Sequence, residues 1–134
     1  MEQINKIIFL LLALANFSKD IHYNCNSIEI HKFMDDIYDG LYGFIDEIKE
    51  KCILAGEELP LTSAEYMIKA TSYIPPVDKD TNKNLIQLKE LIIFNLNELE
   101  LISDLSRGET SLFDNISDNL QGKLGLLNIQ LRDK

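Results

Sequence analysis

The chain has 134 residues, 46% hydrophobic and 26% charged, with 13 Lys and Arg against 22 Asp and Glu for a net charge of -9. Length and balance indicate one soluble domain over residues 1–134 and exclude a disordered chain. The shortage of cations excludes a surface built throughout for nucleic acid, which needs clustered Lys and Arg. Leu (21) and Ile (18) carry nearly all the aliphatic volume beside one Val and 3 Pro, too few turn formers for an all-β sandwich. Cys25 and Cys52, 27 positions apart, form no metal or disulfide motif. They read as ordinary thiols of a cytoplasmic protein.

The first predicted element covers residues 2–21, around the apolar run Ile7-Ile-Phe-Leu-Leu-Leu-Ala-Leu-Ala-Asn-Phe17. Eleven residues are too short to cross a bilayer, which takes about 20. The run has the length of a leader peptide's apolar region, with Ala13-Leu14-Ala15 as its cleavage site. Glu2 before it favours the other reading, a first helix buried on more than one side. After His22 a polar break, Tyr23-Asn-Cys-Asn-Ser27, precedes a second helix. Asn26 or Ser27 is its cap, and Asn26 with Glu29 has capping-box spacing. Ile30, Phe33, Met34, Ile37, Leu41, Phe44, Ile45, Ile48 and Cys52 form its apolar stripe, and Gly56 closes it.

Residues 57–79, with Pro60, Pro75 and Pro76, form a long connection. Thr62 to Ile68 reads as a short capped helix within it. A third long helix is expected over 80–106, with Leu85, Leu88, Leu91, Ile92, Leu96, Leu99 and Ile102 as its stripe and Arg107-Gly108 as its end. A fourth is expected over 110–132, with Leu112, Phe113, Ile116, Leu120, Leu124, Leu127 and Leu131. Four amphipathic helices with one long crossover between the second and third predict an all-α, ferritin-like four-helix bundle.

The only two histidines, His22 and His31, flank the first turn. On the second helix His31 and Asp35 are i,i+4, as are Asp46 and Glu50. At about 100° per residue the four share an arc of about 100° beside Tyr38 and Tyr42. Imidazoles mixed with carboxylates suit iron, zinc or manganese. His31 and Asp46 are nonetheless about 22 Å apart along the helix, whereas metal–ligand bonds are about 2 Å. The two pairs meet only if a second copy of the helix packs antiparallel across a two-fold axis. A solvated acidic face is the other reading of the same charges. No Glu-x-x-His occurs in the sequence, so an intra-bundle di-iron site has no ligands.

Several stretches resemble miniferritins of the Dps type (DNA-binding protein from starved cells). They are Ile21-His-Tyr-Asn24, Ile30-His-Lys-Phe-Met-Asp35, Ile45-Asp-Glu-Ile-Lys-Glu50, Gly56-Glu-Glu-Leu-Pro-Leu61, Ala64-Glu-Tyr66 and Gly108-Glu-Thr-Ser-Leu-Phe113. They span nearly the whole chain in order, and His-x3-Asp-x10-Asp-x3-Glu matches the family's ferroxidase ligands without a gap. The resemblance implies a homo-oligomeric shell, normally a dodecamer of two-fold dimers. Such a shell binds Fe²⁺ at dimer interfaces, oxidises it preferentially with hydrogen peroxide, and stores ferric mineral. His22, His31 and Asp35 would come from one subunit and Asp46 and Glu50 from its partner, as both iron ligands and catalytic residues of a mono- or di-iron site.

The chain departs from the family in three places. The His22–His31 segment is shorter and lacks a Gly-Pro turn, closer to compact Dps-like proteins of phage and some bacteria. Tyr23 stands where a Trp usually follows the first His. No Lys-rich tail precedes the first helix, so tight DNA binding is not expected. Asp114 and Asp118 suit the dipole at the start of the last helix, and in a Dps-like shell they would line an iron-entry pore. Gly122 and Gly125 would allow close approach at a subunit contact or merely loosen helix packing. The competing functional reading is a ferritin-like assembly or interaction protein without turnover.

Overall fold

The computed structural model describes residues 2–59 and 61–132; Pro60 of the crossover lies outside them. Among the described residues five helices follow in order: α1 (Glu2–Tyr23), α2 (Ile28–Leu54), α3 (Ser63–Thr71), α4 (Thr81–Leu101) and α5 (Arg107–Arg132). α1 packs on α2, α3 and α4, while α5 packs on α4 and α2. Two short turns make α1–α2 and α4–α5 antiparallel hairpins, and the long α2–α4 crossover carries α3 across α1. This is the expected ferritin-like arrangement. No described helix is long and apolar enough to cross a membrane.

α1 has helical neighbours on three sides, which is why its apolar run is continuous. Ile7, Ile8, Leu10, Leu11, Leu12, Ala13, Leu14 and Ala15 are all buried, and each large one contributes about 1.5–3 kcal/mol by leaving water. α1 is two residues longer than its predicted 2–21 span, ending at Tyr23, so that its last turn carries His22. The α2 stripe is buried as expected at Ile30, Met34, Ile37, Leu41, Ile45, Ile48 and Cys52, with Phe33 and Phe44 half-buried.

Capping chemistry sets the boundaries. Ser27, not Asn26, caps α2, its hydroxyl accepting from the Ile30 N–H at 3.4 Å; the Asn26–Glu29 box does not form. Gly56, at φ 81°, ends α2 through bonds from its N–H to the Ile53 carbonyl and from the Glu57 N–H to the Cys52 carbonyl. That pair is the Schellman arrangement. Thr62 and Glu65 close a reciprocal box at 3.2 and 3.0 Å that starts α3, and the buried Tyr66 hydroxyl donates to Asn5 Oδ1 on α1 at 2.6 Å.

The expected third helix over 80–106 stops at Leu101, and Arg107-Gly108 opens α5 rather than ending its predecessor. The apolar period continues through Ile102 and Leu105, which still pack on the core. Ile102 is nevertheless extended and Asp104 left-handed at φ 60°. Ser106 and Glu109 bond reciprocally, at 3.2 and 3.0 Å. This Ser-x-x-Glu box starts α5 three residues before the expected 110. Two polar residues on α4 were also missed. Asn84 and Asn95 are buried, and Asn84 exchanges two hydrogen bonds with the Asp78 backbone, at 2.7 and 2.9 Å, fixing the crossover to α4.

Candidate metal centre

The α1–α2 hairpin brings the last turn of one helix beside the first turn of the next, and so sets His22 against His31. Their rings stack with centroids 3.5 Å apart and planes 23° from parallel. Each Nδ1 lies on the other residue's backbone carbonyl: His22 Nδ1 is 2.7 Å from the His31 oxygen and His31 Nδ1 is 2.8 Å from the His22 oxygen. A carbonyl oxygen only accepts, so both Nδ1 atoms carry hydrogen and donate. The neutral ring then keeps its lone pair on Nε2, the atom left for a metal. Such outer hydrogen bonds orient ligating imidazoles and raise their basicity. His22 is 9% exposed, and His31 is exposed.

Asp35 lies one turn after His31 and within the electrostatic reach of both imidazoles. Its Oδ1 accepts from Lys19 Nζ at 3.0 Å. That bond holds the carboxyl below its ordinary range; partial burial opposes it as the next-largest effect, and the Lys19 charge and the neighbouring imidazoles add smaller lowering contributions. The same bond raises the Lys19 ammonium above its ordinary value. Lys19 Nζ also sits 4.5 Å from the centroid of Tyr38 and 5.5 Å from that of Tyr23. The Tyr38 and Tyr42 rings are 4.7 Å apart, and burial pushes the Tyr38 phenol up.

Lys19 is the charged neighbour that sequence reasoning missed. Its spacing of three from His22 on α1 was the available signal, but its bond to Asp35 needed the hairpin.

Asp46 and Glu50 are exposed one turn apart on α2. Helix rise keeps them about 16 Å or more from His31 and Asp35 in the same chain. Among the described residues, no three His, Cys, Asp or Glu side chains of one chain form a group able to hold a metal ion. The chain therefore brings His22, His31 and Asp35 into one neighbourhood and leaves Asp46 and Glu50 apart. Asp114 and Asp118 line a groove of about 730 Å³ with Glu100 and Asp104, at the start of α5. Gly122 and Gly125 have open space around them in the single chain.

No protein-family model and no curated protein matches this sequence. Solved structures do match. A point mutant of Dps1 from Mycobacterium smegmatis superposes with a TM-score of 0.78 at 17% identity, over 97% of this chain and 93% of that one. A C-terminal deletion mutant of Mycobacterium smegmatis Dps superposes with a TM-score of 0.81 at 20% identity, over 96% and 93%. With its five helices in this order, α3 lying in the crossover, the chain has the Dps-type miniferritin fold.

Proposed function

We propose that the protein is a cytoplasmic iron-storing miniferritin that binds Fe²⁺ between two-fold-related subunits and oxidises it with hydrogen peroxide. The supporting observation is the His22–His31 clasp, which leaves two Nε2 lone pairs free beside an ionised Asp35. Neutral imidazoles and hard carboxylates together suit Fe²⁺, and added carboxylate charge favours Fe³⁺ as it forms. Asp46 and Glu50 of a second copy supply that charge. Two ferrous ions each give up one electron, and peroxide takes both with two protons to leave as two waters. The ferric product is stored inside a shell of twelve copies. Asp114 and Asp118 line the way in for iron. With a net charge of -9 per chain, the shell does not hold duplex DNA tightly.

The test adds Fe²⁺ anaerobically to purified protein, then hydrogen peroxide, following ferric absorbance while light scattering records mass. Rapid oxidation into a soluble particle of about 180 kDa is the expected result. Oxidation no faster than without protein, in a monomer or simple dimer, refutes it. One observation favours the second reading, an assembly protein without turnover: the Lys19 ammonium already occupies Asp35. Under that reading Fe²⁺ leaves the Lys19–Asp35 pair intact.

A further inference from the structure

Lys19 stands near the end of α1, three residues before His22 and four before Tyr23. Its Nζ faces one carboxylate and two rings. It donates to Asp35 Oδ1 at 3.0 Å, lies over the Tyr38 ring 4.5 Å from the centroid, and lies over the Tyr23 ring at 5.5 Å. The Lys19 and Asp35 side chains are 27% and 43% exposed, so water reaches the pair. Tyr23 is 70% exposed.

An ammonium and a metal ion exclude each other at one carboxylate oxygen, because both are cations that need the same lone pairs. The ion pair is weak enough to yield. A solvent-accessible pair shifts an equilibrium by about fivefold at most, and an aromatic face attracts an ammonium to a similar degree. An ammonium leaving Asp35 therefore loses little, since its flexible stem keeps it over Tyr38 or carries it towards Tyr23. A monovalent ion brings no more charge than the ammonium it would replace, and the tether keeps that ammonium at high local concentration. A divalent ion brings twice the charge. It can also take the His22 and His31 Nε2 atoms, which the hairpin's hydrogen bonds leave free.

We propose that Lys19 is a tethered, displaceable cation that holds Asp35 until a divalent ion arrives, then gives up the carboxylate and rests on the Tyr38 and Tyr23 faces. The proposal rests on the ligand set of the proposed function and adds a residue that sets how tightly Asp35 accepts a metal. Lys19 is a positioning residue, acting through Asp35. While the site is empty it fixes the carboxylate beside the two imidazoles. When the site fills, the exchange takes back part of the metal's affinity, which suits an ion that is to be oxidised and passed on rather than kept.

The test is Zn²⁺ binding to the assembled protein by titration calorimetry and tyrosine difference absorbance, with circular dichroism reporting the fold. Zn²⁺ is redox-inert, and in a chain without Trp the near-ultraviolet signal is dominated by tyrosine. Lys19→Met keeps an apolar stem and removes the charge. It is expected to raise Zn²⁺ affinity about fivefold and to lose most of the tyrosine signal. Tyr38→Leu removes the receiving face and is expected to weaken Zn²⁺ binding about threefold when Lys19 is present, with no effect in the Lys19→Met background. Tyr38→Phe keeps the face and is expected to match the parent. Equal Zn²⁺ affinity in Lys19→Met and the parent, or an equal effect of Tyr38→Leu in both backgrounds, overturns the exchange. His22→Asn separates it from the site itself. If His22→Asn loses Zn²⁺ while Lys19→Met is silent, the site stands and the exchange falls; if neither changes the affinity, both fall. Tighter Zn²⁺ binding in Lys19→Met, without iron oxidation by the parent, upholds the exchange and refutes only the ferroxidase reading.

Discussion

His22 joins a structural role seen in the hairpin to the ligand role proposed for it, and substitutions separate the two. Its Nδ1–H donates to the His31 carbonyl at 2.7 Å from a ring that is 9% exposed; its Nε2 is the atom that the proposed function gives to iron. His22→Ala removes both. Losing one buried hydrogen bond costs about 1 kcal/mol, and losing the packing of the stacked ring adds a comparable amount. The expected destabilisation is about 2 kcal/mol, a factor of about 30 in the unfolding equilibrium. His22→Asn keeps an amide N–H close to the Nδ1 position and deletes Nε2. It is expected to cost less than about 1 kcal/mol while weakening metal binding about tenfold or more. The assay pairs thermal unfolding by circular dichroism, at one protein concentration, with titration by Co²⁺ as a redox-stable substitute for Fe²⁺. Unchanged Co²⁺ affinity in His22→Asn would show that His22 only clasps the hairpin. A His22→Ala protein as stable as the parent would refute the clasp.

Asp46→Ala with Glu50→Ala is expected to abolish iron oxidation and, both being exposed, to change stability by less than about 0.5 kcal/mol; stopped-flow absorbance with light scattering checks this, and unchanged iron handling removes both from the site. Gly56→Ala forces a Cβ into the left-handed region at φ 81° and is expected to cost about 1–2 kcal/mol, measured by thermal melts. Tyr66→Phe deletes the 2.6 Å bond to Asn5 and costs about 1 kcal/mol. Burial raises the Tyr66 phenol, so its contribution is complete below the ordinary tyrosine range and lost as pH rises through the raised value; the Phe variant should lose less stability over that alkaline window. Glu65 behaves oppositely. Its bonds to Thr62 lower its pKa, so the α3 cap contributes above the ordinary glutamate range and fails as pH falls through the lowered value. Glu65→Gln should flatten that acid limb in pH-dependent melts.

The helices, the crossover and four of the helix starts were legible because each is set by neighbours in sequence. Period 3.6 marks the buried stripes, Thr62 and Glu65 announce α3, and Gly56 marks the end of α2. The α4–α5 boundary was misjudged although its signal was present. The apolar period runs on through Ile102 and Leu105, while Ser106-Arg-Gly-Glu109 carries a capping box that takes the following residues into α5. A stripe reports burial, and an extended segment can bury the same side chains as a helix.

The candidate metal-binding residues divide in the same way. His31 with Asp35, and Asp46 with Glu50, are one helical turn apart, so the sequence by itself determined that each pair shares a face of α2 and that helix rise holds the pairs about 22 Å apart. The stacking of His22 on His31, the exchange of hydrogen bonds that leaves Nε2 free, and the seating of Lys19 on Asp35 were decided only by the tertiary structure. Each joins α1 to α2 across a hairpin whose register follows from how Ile21 and Ile30 are buried in the common core. Chain spacing within a helix is a fixed length, whereas contact between helices depends on which faces the whole core draws together.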